Sequence, residues 1–367
     1  MENTSVNLEN KGELVINPLH RSFGLDLIRV IAVCFVLMAH FAKAVEPFGF
    51  WGVELFFALS GYLIGNIVWR HFHRSETWDF KQIKNFWARR WWRTLPNYYL
   101  FFCVSLVFHH LNGDGLPSLA KLSTFLWFGQ NLTSRFSEFY GVSWSLCIEE
   151  WLYFTFPLVL LFFSKVIKSK NKAFIFTLFA FYIGCFLIRE YLFEHGQGEN
   201  LRGISLSRLD AIAYGIGMAY ISANIQLSLL KKQLLFLIGV ILLLSPVIAL
   251  FIFDSPYVVV KQHRAFLLIV PIGASLILPL VSMLKEFKGL FSFVNIGVGK
   301  MSAWTYSIYL SHIPVLFTAY YLLSSIRTSS IGNLASKIIG LLVTVAISAL
   351  IFKYFESPFT KKRPKEL

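Results

Sequence analysis

The stretch GLDLIRVIAVCFVLMAH, residues 24–40, is apolar enough and long enough to lie inside a membrane, yet it carries Asp26, Arg29 and His40. Ionisable groups inside hydrocarbon are costly, so a span that keeps three of them raises a question of purpose. The rest of the chain repeats the apolar pattern. Of 367 residues 56% are hydrophobic, 15% are charged and 38 are phenylalanine, a composition outside the soluble globular range. Apolar runs near 20 residues recur at 24–44, 50–69, 95–111, 143–163, 173–193, 205–224, 233–253, 264–284, 302–324 and 332–352. Each is long enough to cross about 30 Å of hydrocarbon as a helix. The expected fold is an all-α polytopic membrane protein of about ten transmembrane helices.

Lysine and arginine give the orientation. Segments 70–93, 165–172, 231–232 and 285–300 and the tail KKRPKEL are rich in them, and the intervening loops are poor. The positive-inside rule then puts both termini in the cytoplasm. The formal charge of +14 reads as topology and contact with anionic lipid heads, not as a nucleic-acid surface. Residues 1–23 are polar and lack a secretory pattern; AKA at 42–44 loosely resembles a cleavage site, but the first span carries charges and is expected to be retained. Cys34, Cys103, Cys147 and Cys185 match neither a zinc site nor a disulfide framework and are expected to be apolar filling. NGDG at 112–115 marks a turn in the longest outer loop. The organisation expected is a polar tail over 1–23, a membrane core over 24–354 and a basic tail over 355–367, with no fused soluble domain.

Helical geometry gives the first span a meaning. Arg29 and His40 are eleven residues apart, about 1100° of rotation, so they share a face within roughly 20° and differ in height by about 16 Å. Asp26 lies one turn before Arg29 and can offset part of its charge. Arg29 thus falls toward the inner surface and His40 close to the outer one. Taken alone, the pair is equally well read as a snorkelling arginine and an interfacial histidine. Other spans bring Glu54, Glu149 (with Tyr153 one turn below it), Arg208 and Asp210 to one outer depth, and such a layer is expected to line a polar cavity.

Ordered motifs then match a family. Arg29 and His40 with ten residues between them, GVELFFALSGYLI, FWARRWWRTLPNYYL, SWSLCIEEWLYFTFPL, RLDAIAYGIGMA, YSIYLSHIPVLF and KYFESPF together resemble the membrane acyltransferase 3 family, whose members acylate bacterial surface glycans and other acceptors. Glu54 stands where the family pattern usually has its acidic partner. The resemblance implies transfer of an acyl group, most simply acetyl, from cytoplasmic acyl-CoA to a hydroxyl of a carbohydrate at the outer face of the bacterial inner membrane. The acceptor expected is an O-antigen of lipopolysaccharide, a capsule or an exopolysaccharide, lipid-linked or free. No permanently bound cofactor is expected; no metal is expected, since no metal-binding His/Glu spacing occurs, and no covalent serine mechanism, since no Gly-x-Ser-x-Gly element occurs. The oligomeric state is left open.

Under that resemblance His40 and Arg29 correspond to essential family residues. Imidazole suits removal of a hydroxyl proton near neutral pH, and a carboxylate can orient it; Glu149 is favoured over Glu54. Arg89, Arg90 and Arg93 among Trp87, Trp91 and Trp92 suit the phosphates and adenine of the donor, with Arg29 above them, although a basic aromatic belt at a membrane surface has the same composition. Glu54, Tyr153, Arg208, Asp210 and His312 are candidates for substrate contact; His312, just before Pro314, is either on the path between the two sites or a buried structural histidine. Ser60–Gly61 is read as a close-packing surface rather than a nucleophile. The competing reading is a transporter or flippase of a lipid-linked glycan, with the same charged residues alternating access, but no inverted repeat shows in the hydropathy.

Overall fold

The computed structural model describes residues 22–366, apart from 43–44, 114, 135–137 and 254–262. Residues 1–21 of the amino-terminal tail, two residues of the AKA stretch and Asp114 of the NGDG turn therefore lie outside the described residues. Among the described residues the chain is helical throughout, with no strand.

Each apolar run becomes a helix. These are α1 Phe23–Phe41, α2 Phe48–Arg74, α3 Phe80–Asn112, α5 Ser143–Val166, α6 Lys170–Glu194, α7 Leu209–Asn224, α8 Leu229–Phe253, α11 Ser292–Leu322 and α12 Ser330–Ile351, with the eighth run split into α9 Phe266–Leu276 and α10 Leu278–Val281. A short α4, Leu119–Leu126, lies between α3 and α5, and a π-turn, Phe352–Glu356, leads from α12 into α13, Ser357–Lys361. Among the described residues six helices are long and apolar enough to cross a membrane: α1, α2, α5, α6, most of α8, and α12 with its extension to Lys361. The outward side of α8 shows why: Leu234, Leu237, Ile241, Leu244 and Ile248 form one exposed stripe, which is unfavourable against water and neutral against lipid.

Local chemistry sets the helix ends. The Ser22 side chain caps α1 by accepting from the Leu25 amide, and Asp26 in the first turn adds negative charge at the positive end of the dipole. Asp79 and Gln82 form a capping box for α3, and Gly113, at φ 74°, ends it in a left-handed turn. The run at 205–224 begins as helix only at Leu209, because the Ser207 hydroxyl turns back to the carbonyls of Leu201 and Ile204, both at 2.9 Å, and Asn131 holds the carbonyl of Gly203 at 2.7 Å.

Interior prolines have a direct structural effect. Proline has no N–H to give to the carbonyl four residues back, so that acceptor is released for another donor. Pro157 releases the Tyr153 carbonyl, which accepts from the Trp87 indole at 3.0 Å and ties α3 to α5. Pro271 releases the Leu267 carbonyl, which accepts from Arg208 at 2.5 Å.

At the centre α2 packs against α1, α7 and α9. The α2–α7 contact needs glycine on both sides: a Cβ at Gly61 would stand 2.0 Å from the Ile212 carbonyl oxygen, and one at Gly215 would stand 2.2 Å from that of Ala58. This agrees with the packing reading of Ser60–Gly61. All four cysteines are free; Cys147 and Cys185 are buried, whereas Cys103 is exposed, so apolar filling describes only part of the set.

Candidate active site

A cavity of about 400 Å³ runs between α1, α2, α3, α5 and α11, a size suited to part of a small-molecule ligand. Its mouth is basic, with Arg70 from the end of α2, Arg89, Arg90 and Arg93 from the start of α3, and Arg363 from the tail. Three of these were expected at a donor site; Arg70 and Arg363 were not. The positions follow from helix geometry, because α3 extends about four turns beyond its apolar run, and residues 89, 90 and 93 lie on that extension.

Farther in, the cavity meets Arg29, Glu149 and Tyr153. Arg29 Nη1 donates to Asp26 at 3.1 Å, the pairing expected one turn apart, and to Ser302 Oγ at 3.0 Å, which itself donates to Asp26 at 2.5 Å. The guanidinium is therefore fixed by α1 and α11 together. Tyr153 donates to Glu149 at 3.0 Å and shares a hydrogen bond with Ser60. The Glu149 carboxylate feels the charges of Arg93, Arg90 and Arg29.

The inner end of the cavity is formed by Ser145 and Tyr309, whose hydroxyls are 2.6 Å apart. Behind Tyr309 lies fully buried His312, its Nδ1 2.7 Å from the Tyr309 carbonyl. A carbonyl can only accept, so Nδ1 carries the proton and neutral His312 leaves a bare lone pair on Nε2. Nε2 has no hydrogen-bond partner among the described residues. The His40 ring, exposed at the end of α1, packs on His312 with centroids 4.9 Å apart. His40 and His312 thus form a pair, and Tyr309 separates them from the cavity.

Two expectations about position do not match. The layer of charges at one depth is not a single polar cavity. Glu54 takes both oxygens to Arg208 Nη2, at 2.6 and 2.7 Å, and Asp210 pairs with Arg189 at 3.1 and 2.7 Å. All four side chains are shielded from solvent, and none lines the cavity. Buried charges must be neutralised, and packing α2, α6 and α7 together supplies the partners directly. Nor does the structure bring Glu149 to His40: Glu149 sits among the arginines deeper along α5, and the charged groups that act on His40 are Glu46, in the turn after α1, and Arg202. Arg202 lies over the rings of Phe50 and Trp144 at 4.9 and 5.2 Å.

Several residues were missed from sequence. Arg189 is an ionisable residue in an apolar run and could have been found by the same rule as Arg29. Glu356, in KYFESPF, is buried and accepts from Asn97 at 2.8 Å and Ser307 at 2.6 Å, joining the π-turn to α3 and α11. Glu46 and Arg202 lie in short connections that carry no signal. No cluster of three or more metal-ligating side chains occurs among the described residues.

Comparison with known proteins adds the family. The model of the acyltransferase 3 family, described as "Acyltransferase domain", matches residues 22–353. The chain is similar to the peptidoglycan O-acetyltransferase OatA of Listeria monocytogenes, 28% identical over 362 residues, covering 92% of this chain and 55% of that protein. It is also similar to the O-acetyltransferase OatA of Staphylococcus aureus strain NCTC 8325, 25% identical over 371 residues, 92% and 57% covered. A third relative is the putative peptidoglycan O-acetyltransferase YrhL of Bacillus subtilis, 28% identical over 368 residues, 91% and 54% covered. The chain spans little more than half the length of these curated relatives. No solved structure matches it. With the family model covering most of the chain and the motifs in order, this protein belongs to the acyltransferase 3 family.

Proposed function

We propose that the protein is a multi-pass membrane O-acetyltransferase that takes an acetyl group from acetyl-CoA at the basic mouth of the cavity and delivers it to a hydroxyl of a cell-wall glycan at the His40 end. In this reading all ten helical runs cross the membrane and both termini are cytoplasmic, so the arginine mouth faces the donor pool. The names of the relatives favour peptidoglycan as the acceptor class over the O-antigen, capsule and exopolysaccharide acceptors weighed from sequence. Membrane lipids are the remaining partners, and nucleic acid has no role.

The observation that carries the proposal is one continuous arrangement: five arginines around the mouth, a cavity leading inward to Ser145 and Tyr309, and the His312–His40 pair immediately beyond. Guanidinium groups bind phosphates through forked, charge-assisted hydrogen bonds, so the nucleotide end of the donor belongs at the mouth and its thioester arm in the cavity. Once the Tyr309 side chain moves aside, His40, exposed at the outer end, takes the proton of the acceptor hydroxyl as its oxygen attacks the thioester carbonyl. The C–O bond forms, the C–S bond breaks, and the same proton passes to the leaving thiolate, so the imidazole ends neutral. The bare Nε2 of His312 is an acceptor that can hold His40 or the hydroxyl in place. Glu149, among arginines, holds Tyr153 and balances charge along the cavity.

The test compares the masses of cell-wall glycan fragments from cells with the protein, without it, and with His40→Ala. General-base catalysis contributes about 10²–10⁴-fold, so His40→Ala, inserted at the normal level, is expected to match the deletion. Glycan acetylation at the wild-type level with His40→Ala overturns the mechanism, and identical glycans with and without the protein overturn the acceptor class.

A further inference from the structure

The mouth of the cavity is crossed by the chain's own tail. Arg89 Nη1 donates to the Pro364 carbonyl at 2.7 Å, and Asn85 Nδ2 donates to the Lys365 carbonyl at 3.0 Å. The Glu366 carboxylate accepts from Arg70 Nη2 at 2.7 Å, has His71 Nε2 on the same oxygen, and lies 3.4 Å from Arg89 Nη2 through the other. Two guanidinium groups and an imidazole, from the end of α2 and the first turns of α3, thus converge on one carboxylate. The rest of the tail is basic, with Lys361, Lys362, Arg363 and Lys365. Like charge alone would push it away from this mouth, and Glu366 is the side chain that reverses the sign. Burial would raise the Glu366 carboxyl, but hydrogen bonds from His71 and Arg70 and the charges of both hold it down to about 2. It is an anion in an anion site.

We propose that Arg70, His71 and Arg89 form a phosphate subsite for the nucleotide end of the donor, and that Glu366 fills this subsite until the donor displaces it. The inference rests on the acyl-CoA reading above, and adds which groups meet the phosphates and what competes for them. A phosphate carries about −1.5 to −2 charges and three acceptor oxygens, against one charge and two oxygens on Glu366, so it makes better use of the same three donors. The site is partly exposed, where each ion pair is weak, and a tethered anion competes only at its effective concentration. The tail therefore lowers donor affinity by a modest factor, roughly fivefold, and covers the mouth when no donor is present.

The test uses the full chain in detergent with free coenzyme A as the probe, its binding followed by calorimetry and the tail by hydrogen exchange of the peptide spanning 362–366. Glu366→Gln is expected to bind coenzyme A about fivefold tighter than wild type, and Arg70→Gln is expected to bind it more weakly with or without Glu366→Gln. Coenzyme A is expected to raise tail exchange in the wild type, a readout that holds even where a variant does not fold. Equal affinity in wild type and Glu366→Gln, with tail exchange unchanged, overturns the subsite and leaves the donor reading standing. No coenzyme A binding to either protein overturns the donor reading and the subsite with it. The same exchange measurement in phosphatidylcholine and phosphatidylglycerol nanodiscs separates the sources of phosphate: tail release by phosphatidylglycerol alone, with none by coenzyme A, assigns the subsite to a lipid headgroup and overturns the proposal.

Discussion

Glu54 is half of an ion pair with Arg208, both side chains fully buried. Glu54→Gln removes the charge and keeps the shape. Arg208 Nη1 retains the Leu267 carbonyl at 2.5 Å, and Nη2 can still donate to the one remaining acceptor oxygen, but of the bonds at 2.6 and 2.7 Å one acceptor is replaced by an NH₂ donor and the buried guanidinium loses its counter-charge. Breaking a buried pair by removing one partner costs about 3–5 kcal/mol, whereas replacing both by apolar groups is often neutral. At roughly 2 °C per kcal/mol for a large chain, the melting temperature should fall by about 6–10 °C. Glu54→Leu combined with Arg208→Met should recover most of that loss, although the freed Leu267 carbonyl keeps the rescue incomplete. The assay is thermal unfolding in detergent followed by intrinsic tryptophan fluorescence, with donor and acceptor kinetics measured well below the transition. A Glu54→Gln protein that melts at the wild-type temperature and yet has lost acceptor turnover would refute the structural assignment and return the pair to the substrate site.

Four further outcomes follow from the geometry. Arg90→Gln combined with Arg93→Gln should raise the donor KM more than it lowers kcat in steady-state kinetics, because ground-state phosphate binding is what is removed; an unchanged KM would move the donor elsewhere. Arg29→Lys should insert normally but lose most activity, since a lysine ammonium cannot reproduce the guanidinium contacts to Asp26 and Ser302 while still facing the cavity. Near-full activity would favour a snorkelling arginine. Gly61→Ala should lower the melting temperature and the yield of folded protein, because its Cβ meets the Ile212 backbone at 2.0 Å; size-exclusion profiles and thermal unfolding report both. The Glu366 carboxyl is held down to about 2, so its contribution to tail docking is complete above its ordinary value of about 4.5 and is lost as pH falls from there toward 2. Hydrogen-exchange protection of the tail should therefore decline as pH falls below about 4.5; protection that stays unchanged there would mean that another group anchors the tail.

What was legible in the sequence is what depends on one helix at a time. The apolar runs gave the helices, because any backbone that enters hydrocarbon must satisfy its own hydrogen bonds. The eleven-residue spacing put Arg29 and His40 on one face at two depths, Asp26 was readable as Arg29's neighbour, and the Arg89–Arg93 cluster was readable as a basic rim. What required the tertiary structure is direction around each helix axis, since a span's depth is written in its own residues but its partners are not. Sequence indicates that buried Glu54, Arg208 and Asp210 need partners; only packing joins Glu54 to Arg208, 154 positions away, and gives Asp210 to Arg189 instead of to a cavity. The same holds for Glu149, expected at the outer depth beside His40 but placed among the arginines by the packing of α5, leaving His312 as the ring against the candidate base. It holds for Pro157 and Pro271, visible as helix breakers, while the carbonyls they release find Trp87 and Arg208 only once the helices assemble. Glu366 carries no sequence signal at all, because one carboxylate in a basic tail acquires a role only where three donors from two helices meet around it.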